Sequence, residues 1–307
     1  MPTLPFAERL YYEDACCDEP RGLEFAAVVT EIRELARVEG RPVFQVALDR
    51  TAFYPTGGGQ PHDTGVLVAT ARSGAVLEAP VTDVVEDDAG EVWHATAKPI
   101  QSGTEVVGRV DAERRRDHMQ QHSGQHLLSA IAAREFGAAT VGFHLGRMDT
   151  TVDLAMPLLS AEQMKVLQQR ANDVVMRALP VTQRWVGRDE AEALLAAGVL
   201  PKLPLRAGDL RVVSIAGVDQ NACGGTHVRS TAEIGPVLLR RVERVRGNSR
   251  LSFVCGGRAL AAATADWKLL TGLAGTLSTG VAELAERVLK MQAEVAEARR
   301  RAKTETR

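Results

Sequence analysis

The sequence has few cysteines, few aromatic residues and no excess of charge of either sign. Its 307 residues include four cysteines, and the adjacent Cys16 and Cys17 do not resemble a disulfide framework, so a reducing, cytoplasmic setting is expected. The formal net charge of −2 gives no overall field that would attract the chain to nucleic acid. Any contact with nucleic acid must therefore use a local patch.

Long apolar runs are also missing. No uninterrupted apolar segment approaches the ~20 residues of a membrane span, and the N-terminal residues contain no apolar signal core. No membrane attachment is therefore predicted. With 45% hydrophobic and 25% charged residues, the composition is that of a globular chain long enough for roughly two domains.

Residues 24–108 are predicted to form short β-strands. Val-rich segments separated by Gly, Pro and Asp are typical of a small barrel or curled sheet. The segment TAFYPTGGGQPHDTG interrupts them with three glycines, Gly57, Gly58 and Gly59. No Gly-Lys-Ser/Thr follows, so this is not a Walker loop. A flexible turn and a loop whose bare backbone lies close to a ligand both fit the glycines.

The periodicity changes at residues 109–135, where apolar residues and two histidines recur at steps of three or four. This pattern predicts a helix ended by Gly137, with His122 and His126 on its apolar face. Strands and helices then alternate, and Ser160 is the expected N-cap of one helix. The expected fold class is α+β: a small N-terminal β-barrel, helices on a largely antiparallel sheet, and a C-terminal helical tail.

Three regions are predicted: a barrel domain with the glycine motif (1–108), a domain carrying the metal-ligand residues (109–258) and a helical or coiled-coil segment (259–307). The last segment contains a heptad pattern at Val281, Leu284, Val288, Met291, Val295 and Ala298. A homodimer through this helix and a helix packed on its own domain both fit the pattern. The chain ends without a cap or return helix, which favours a piece of a longer protein.

Two pairs of metal-ligand residues carry the most specific chemical signal. His122 and His126 lie in QHSGQHLL, and Cys223 and His227 lie in CGGTHV, each pair with i, i+4 spacing. Each pair alone is weak, since a buried His more often bonds a backbone carbonyl. Together they supply one thiolate and three imidazoles, a donor set that suits Zn²⁺.

The same motifs exclude several hydrolase classes. Position 123 is Ser and no Glu separates the histidines, so the metalloprotease motif HExxH is absent. A GxSxG nucleophile elbow is absent as well. Four protein ligands are typical of a closed structural site, whereas catalytic zinc keeps an open position. Activation of water and positioning of a substrate therefore both remain open as roles for the metal.

The motifs HSGQHLLS, GFHLG, CGGTHV and TAEIGP, in this order, resemble the editing domain of alanyl-tRNA synthetases. They are still more similar to the freestanding alanyl-tRNA editing proteins of the AlaX family. The segment LDRTAFYPTGGGQPHDTG resembles the barrel domain of that family, and the resemblance covers residues 10–257. It implies a zinc-dependent aminoacyl-tRNA deacylase that removes serine, or glycine, from tRNA for alanine.

The resemblance also implies residue roles. The zinc ligands carry over onto His122, His126, Cys223 and His227, and positioning of the substrate onto Gly57, Gly58 and Gly59. The candidates for a catalytic role around the zinc are Gln60 and two residues of the pocket-wall segment, His144 and Arg147. Selectivity for serine needs a partner for its hydroxyl. The candidates, by residue type and position, are Thr140, Thr150, Thr151 and Gln60.

Local clusters of arginine are the expected tRNA contacts. Arg114, Arg115 and Arg116 precede the His helix, and a second cluster follows CGGTHV at Arg240, Arg241, Arg244, Arg246 and Arg250. Arg116 and Arg250 are selected from these, although a solvated face balanced by acidic residues fits equally. Two alternative functions stay open. One is a tRNA-binding module with structural zinc and no catalysis. The other is the threonyl-tRNA synthetase type of editing domain, acting on Ser-tRNA for threonine, which the barrel argues against.

Overall fold

A computed structural model describes residues 7–12, 23–38, 41–71, 73–204 and 208–305. The chain forms two compact units, Met1–Gly256 and Gly257–Arg307. Cys16 and Cys17 lie outside the described residues. Among the helices of the described ranges, none is both long and apolar enough to cross a membrane. The predicted division after residues 108 and 258 stays a prediction.

The regular elements follow one another along the chain in a fixed order. They are β1 (Glu8–Arg9), a 3-10 turn (Leu10–Tyr12), β2 (Glu24–Val38), β3 (Arg41–Leu48), β4 (Arg50–Thr51), β5 (Gly65–Thr70), β6 (Val76–Glu86), β7 (Val92–Thr96), β8 (Glu105–Val110), α1 (Ala112–Phe136), β9 (Thr140–Leu145), β10 (Thr150–Leu154), α2 (Ala161–Met176), β11 (Val181–Val186), α3 (Arg188–Ala196), β12 (Leu210–Ile215), β13 (Asp219–Ala222), α4 (Thr231–Ile234), β14 (Val237–Val245), β15 (Asn248–Cys255), α5 (Gly256–Thr276) and α6 (Leu284–Glu305).

Six of these strands close into a barrel in the order β2-β3-β7-β6-β5-β8, and all neighbouring strands are antiparallel. Apolar side chains from alternate positions fill its interior, among them Val46, Leu67 and Val84. A closed barrel has no free strand edge, and the interior of a barrel with this few strands can be filled by side chains. The barrel predicted from the Val-rich segments is confirmed.

Helix α1 is the central element of the following part. Asp111 caps its first turn by accepting a hydrogen bond from the backbone N–H of Arg114, and Gly137 ends it at φ +64°. Helices α1 and α2 pack on an antiparallel sheet of order β14-β15-β10-β9. Their shared core includes Leu127, Leu167 and Phe253. The predicted arrangement of helices on an antiparallel sheet is thus confirmed.

Two further features complete the first unit. Strands β11, β12 and β13 form a separate three-stranded antiparallel sheet. Ser160 caps α2 in a capping box with Gln163, as its position before the apolar run predicted. These elements place the end of β13, and the loop that follows it, within reach of α1.

The second unit consists of α5 and α6, which confirms the predicted helical tail. The heptad pattern begins at Val281, but this residue lies in the turn before α6. Within this unit several large apolar side chains are exposed, namely Leu260, Trp267, Leu269, Leu273 and Leu289. A homodimer through this segment stays a prediction.

Candidate metal centre

The four predicted ligand residues meet at one place in the first unit. One ligand atom from each of His122, His126, Cys223 and His227 lies within 4.8 Å of all the others. The two histidines of α1 share one helix face because they are four residues apart, and their ring centroids are 5.3 Å apart. Cys223 and His227 come instead from the loop between β13 and α4. Their spacing therefore does not reflect a helical turn.

Each imidazole is oriented by a hydrogen bond at Nδ1. His122 Nδ1 lies 2.8 Å from Oε1 of Gln60, and His126 Nδ1 lies 3.0 Å from a carboxylate oxygen of Asp219. His227 Nδ1 lies 3.1 Å from the hydroxyl oxygen of Ser123. With a proton on Nδ1, each ring donates to its outer partner and keeps the Nε2 lone pair free. Metal-binding histidines are commonly fixed in this way.

The spacing of the donor atoms fits a tetrahedral zinc ion. Cys223 Sγ is 3.5 Å from Nε2 of His122 and 3.3 Å from Nε2 of His227. Bond lengths of about 2.3 Å to sulfur and 2.0–2.1 Å to nitrogen give a sulfur–nitrogen separation of about 3.6 Å in a tetrahedron. The residues present therefore fit zinc in donor type, and the two sulfur–nitrogen distances are close to those of a zinc site.

The thiol of Cys223 is prepared for ligation. Burial alone would raise its pKa, but the imidazoles of His122, His227 and His126 outweigh burial and hold the pKa well below the ordinary value of a thiol. The backbone N–H of Gly225 also points at the sulfur, at 3.4 Å. Since the thiolate is the form that binds metals, the cluster presents the required donor.

Each of the two glycine motifs beside the four donor residues contains a position at which a Cβ atom would clash with a neighbour. Gly58 and Gly59, both with positive φ, form the centre of a tight turn in which Gly57 and Gln60 exchange two backbone hydrogen bonds. A Cβ on Gly59 would lie 2.7 Å from the Phe143 ring, which stacks on His122. This loop makes backbone contact with β9, since the Leu145 N–H donates to the Gly59 carbonyl at 3.0 Å.

Gly225 of the CGGTHV motif is equally constrained. A Cβ there would lie 2.1 Å from Cε1 of His122, closer than any real contact. The neighbouring Gly224 has no such conflict, because the nearest atom to its added Cβ is the Tyr12 hydroxyl at 3.6 Å. Only the second glycine of the motif is therefore required by the geometry of the cluster.

A buried ion pair fixes the glycine loop to α1. The Arg115 guanidinium bonds both carboxylate oxygens of Asp63 and donates to the Ala52 carbonyl at 2.6 Å. Asp63 also accepts from the backbone N–H of Tyr54 at 2.7 Å. The side chains of Asp63 and Arg115 are 0% and 4% exposed. Both ends of the loop that carries Gln60 are thus anchored beside the helix that carries His122.

A cavity of about 940 Å³ opens beside the four donors. Of the residues predicted for the site, it is lined by Gly57, Gly58, Thr140, His122, His126 and Cys223. Gln60 and Gly59 do not line the cavity. Gln60 bonds the Nδ1 side of the His122 ring, and Gly59 lies against Phe143. Thr151, His144 and Arg147 do not line the cavity, and the last two are exposed. Thr150 is fully buried, also away from the lining.

A cluster of polar side chains lines the same cavity near the end of α1. The Thr140 hydroxyl donates to Ser129 Oγ at 2.6 Å, and the Gln125 amide donates to the same oxygen at 2.7 Å. Ser129 thereby accepts two hydrogen bonds and keeps its own proton to donate. All three residues face the cavity that holds the metal cluster.

The predicted arginine contacts have different environments. Arg114 is half-buried and donates to the His62 carbonyl at 2.9 Å, whereas Arg115 is buried against the Asp63 carboxylate and presents no free charge. Arg116 is exposed. The Arg250 guanidinium donates two hydrogen bonds to the Asp153 carboxylate, from Nε to Oδ1 and from Nη2 to Oδ2, each 2.7 Å long. Of the two selected residues, Arg250 is paired with a carboxylate, whereas Arg116 is exposed.

Two residues that orient ligand histidines, Asp219 and Ser123, were not predicted to do so from the sequence. Asp219 orients His126, and Asn221 in turn donates to both Asp219 oxygens at 2.8 Å. Ser123 orients His227 and also accepts from the Val228 N–H at 3.2 Å. The available signal was position, since Ser123 lies between the two histidines of α1 and Asp219 lies just before CGGTHV.

Sequence comparisons agree with this architecture. The family described as "Threonyl and Alanyl tRNA synthetase second additional domain" matches residues 210–251, which include Cys223 and His227. The family described as "tRNA synthetases class II (A)" matches residues 4–114, which include the barrel and the glycine loop. These two matches include Cys223, His227 and the glycine loop, but not the part of α1 that carries His122 and His126.

Relatives that align with more than four fifths of the chain extend the similarity to helix α1. An "Alanyl-tRNA editing protein Aarsd1" of Mus musculus is 37% identical over 251 residues, which are 81% of this chain and 58% of that protein. A Xenopus laevis protein of the same type, Aarsd1-B, is 35% identical over 82% of this chain and 59% of its own length. An "Alanine--tRNA ligase" of Natronomonas pharaonis is 37% identical over 85% of this chain and 27% of its length.

The match therefore covers most of this chain but only part of each relative, less than two thirds of the editing proteins. It includes the segments of the barrel, the His helix and the CGGTHV loop. The chain belongs to the homologous group that contains these alanyl-tRNA editing proteins and alanine–tRNA ligases, as the resemblance to the AlaX family predicted.

Proposed function

We propose that the protein is an aminoacyl-tRNA deacylase that acts in trans, in the cytoplasm, on tRNA for alanine carrying the wrong amino acid, chiefly serine. The observation that carries the proposal is the position of the four-residue cluster, three of whose members, His122, His126 and Cys223, line a cavity that is also lined by Ser129 and Thr140. The relatives named for editing of alanyl-tRNA and for ligation of alanine to tRNA supply the substrate class.

The reaction needs little machinery. An aminoacyl ester is already activated, so orientation of the ester and admission of one water account for much of the rate. Water adds to the carbonyl carbon, the ester C–O bond breaks, and the ribose hydroxyl leaves with a proton. A zinc ion held by His122, His126, Cys223 and His227 would supply Lewis-acid polarisation to this chemistry or would position the ester, the two roles that four protein ligands leave open.

Side chains around the four donor residues fix the position of the His122 ring. Gln60 accepts from His122 and from the backbone N–H of Thr226 at 3.1 Å, and its amide donates to the Thr226 hydroxyl at 2.9 Å. The glycine loop is therefore a positioning element for the ligand ring, and Gln60 is a positioning residue. Gly57 and Gly58 leave the cavity wall next to it without side chains.

Serine selectivity is assigned to the polar cluster of Gln125, Ser129 and Thr140. Its spare donor, the Ser129 hydroxyl, matches a substrate hydroxyl as acceptor. Alanine has no such group and would leave the donor without a partner. A site built to bond a substrate hydroxyl rejects analogues that lack it by large factors. Glycine also lacks the hydroxyl, so it is expected to be the slower of the two wrong substrates.

The deciding experiment measures release of amino acid from tRNA for alanine charged with serine, glycine or alanine. Zinc-loaded protein is expected to release serine fastest, and Cys223→Ala with His227→Ala is expected to abolish both zinc binding and release. Thr140→Val should lower the preference for serine, while Thr151→Val, which changes a residue outside the cavity, should leave it unchanged.

Two outcomes would replace the proposal. Tight binding of tRNA by the zinc-loaded protein, with no serine release above the buffer rate, identifies a tRNA-binding module with structural zinc. Faster release of serine from tRNA for threonine than from tRNA for alanine identifies the threonyl type of editing. Metal analysis of the purified chain gives the zinc stoichiometry independently of either outcome.

A further inference from the structure

The few aromatic residues of the chain are unevenly placed. The sequence contains three tyrosines and three tryptophans, and all three tyrosines line the cavity beside the metal cluster, together with Trp185. We refer to these four residues, Tyr11, Tyr12, Tyr54 and Trp185, as the aromatic wall. Three lie in the barrel part or before it, while Trp185 comes from β11. The fold thus gathers distant aromatics at one side of one cavity.

The rings of the aromatic wall touch in sequence. The Tyr12 ring lies edge-on to Trp185 at 5.4 Å between centroids and to Tyr11 at 4.6 Å, and Tyr11 lies 5.4 Å from Tyr54. Tyr11 and Tyr54 are buried, whereas Trp185 is 50% exposed. A large aromatic left half open at the edge of a cavity offers a surface for another flat ring.

The aromatic wall is held next to the metal ligands. The Arg211 guanidinium lies 5.2 Å from the centroid of the Tyr12 ring and donates to the backbone carbonyls of Cys223 and Gly225 at 3.1 and 2.7 Å. Gln183, on β11, accepts from Arg211 and donates to the Tyr12 carbonyl. Arg211 therefore fixes the position of the ring relative to the ligand loop.

One polar group in the aromatic wall has no partner in the protein. Tyr11 is 4% exposed, and its hydroxyl makes no hydrogen bond within the described ranges of the chain. Burial, reinforced by Tyr12, raises the pKa of Tyr11 far above its ordinary value, so the hydroxyl keeps its proton. A buried donor without a partner is costly unless a ligand or water completes it.

The chemistry of the proposed substrate matches this wall. The scissile ester joins the amino acid to the terminal ribose of a single-stranded 3′ end, so the terminal base is carried on the same sugar. Single-stranded bases are commonly recognised by stacking on aromatic side chains and by bonds to their edges. Lys202 and Arg134, two exposed cations that line the same cavity, are in place for the adjoining phosphates.

We propose that the aromatic wall binds the 3′-terminal nucleobase of the RNA, with Trp185 and Tyr12 contacting the ring and the Tyr11 hydroxyl donating to its edge. This inference rests on the proposed deacylase function. It adds a base-binding subsite that holds the terminal nucleotide while the ester lies at the metal cluster. Tyr12 and Trp185 are binding residues in this proposal, because neither reaches the reacting atoms.

Binding of uncharged RNA tests the subsite without any need for catalysis. The probes are two minihelices of the tRNA acceptor stem, one ending in CCA and one lacking the terminal adenosine. The full zinc-loaded chain is expected to bind the CCA form about 5- to 150-fold more tightly, which is the effect of stacking one base. Trp185→Ala should remove most of this ratio and leave the affinity for the shorter RNA unchanged.

Trp267→Ala is the matched control, since Trp267 is also exposed, at 60%, but lies in the second unit. It should leave the ratio unchanged. A second measurement on the unaltered chain does not depend on any variant folding. A minihelix with 2-aminopurine as its terminal base should lose fluorescence on binding, because stacking on an aromatic ring quenches it.

The outcomes separate this inference from the proposed function. Equal affinity for both minihelices, no quenching, or the same loss in the Trp185 and Trp267 variants overturns the subsite even if serine is released at full rate. A normal CCA ratio and quenching without serine release leave the subsite in place and overturn the deacylase. Reduced serine release by Trp185→Ala, expressed in KM more than in kcat, is the expected catalytic counterpart.

Discussion

Gln60 and His122, which stand 62 positions apart, are joined by a hydrogen bond of 2.8 Å between Oε1 and Nδ1. Gln60 belongs to the glycine loop beside the barrel, and His122 belongs to the helix that supplies two ligands. The bond fixes the tautomer in which His122 Nε2 can bind a metal. The glycine motif and the metal-ligand motif are therefore parts of one site.

Gln60→Ala should weaken zinc binding. Loss of an outer partner of a metal-binding histidine typically lowers metal affinity about 10- to 100-fold. Competition with a chromophoric chelator measures this directly. Gln101→Ala, which changes an exposed glutamine outside the site, is the matched control. Equal affinities for both variants and the unaltered chain would show that the bond does not support the ligand.

Gly225→Ala should disrupt the metal centre, while Gly224→Ala should preserve it. The added methyl group would fall 2.1 Å from the His122 ring in the first case and 3.6 Å from the nearest atom in the second. The first variant is expected to lose stoichiometric zinc and the second to retain it. Metal content of the two purified variants by mass spectrometry is the measurement. Similar zinc content in both would contradict the steric account.

Arg115→Ala should destabilise the fold strongly. It leaves the fully buried carboxylate of Asp63 without its partner, which typically costs about 3–5 kcal/mol. Arg116→Ala changes the adjacent exposed arginine, and surface substitutions usually stay within about 0.5 kcal/mol. Urea unfolding of both variants provides the comparison. If the two free energies of unfolding are alike, the ion pair does not anchor the loop.

His94 should make the protein lose stability in mild acid. The ring is fully buried, with Nδ1 donating to the Val46 carbonyl at 3.0 Å and Nε2 accepting from the Thr51 hydroxyl at 2.8 Å. Burial lowers the pKa of His94 to about 4, although the Val46 bond acts in the opposite direction. The unfolded chain takes up this proton near pH 6.5, so the unfolded form binds more protons between the two values.

The neutral, buried His94 makes its full contribution to the free energy of unfolding above pH 6.5. This contribution falls by about 3 kcal/mol in total as the pH drops towards 4. Unfolding free energies measured across this range should therefore decline with falling pH. His94→Gln should flatten this part of the profile, and His144→Gln, at an exposed position, should not. An unchanged slope in His94→Gln would assign the decline to other groups.

Local patterns in the sequence predicted the regular elements that have strong periodicity. The Val-rich strands of the barrel, helix α1 with its stop at Gly137 and the Ser160 cap are examples. Strand β9 was missed because Gly142 interrupts its short run and leaves little alternation. Helix α5 was not separated from the heptad tail, since both segments are rich in Ala and Leu.

The meeting of His122, His126, Cys223 and His227 in one cluster could be predicted because their residue types are rare and their motifs specific. Their outer partners could not, since Gln60 and Asp219 reach the histidines only through long-range folding. One signal was overlooked. Arg115 stands four residues before Met119 and seven before His122, on the same buried stripe of α1, whereas Arg116 falls outside it. Helical phase alone therefore separates the structural arginine from the surface one.

The donors of the cluster come from segments 101 positions apart at Cys223 and His122, so an unfolded chain cannot present them together. A metal ion that binds only the folded state adds to stability in proportion to the logarithm of its free concentration. If the cluster binds zinc, the free zinc concentration would shift the balance between the folded and the unfolded chain, as well as set how much of the chain is loaded. At low free zinc a larger share of the chain would then be unfolded and open to proteolysis.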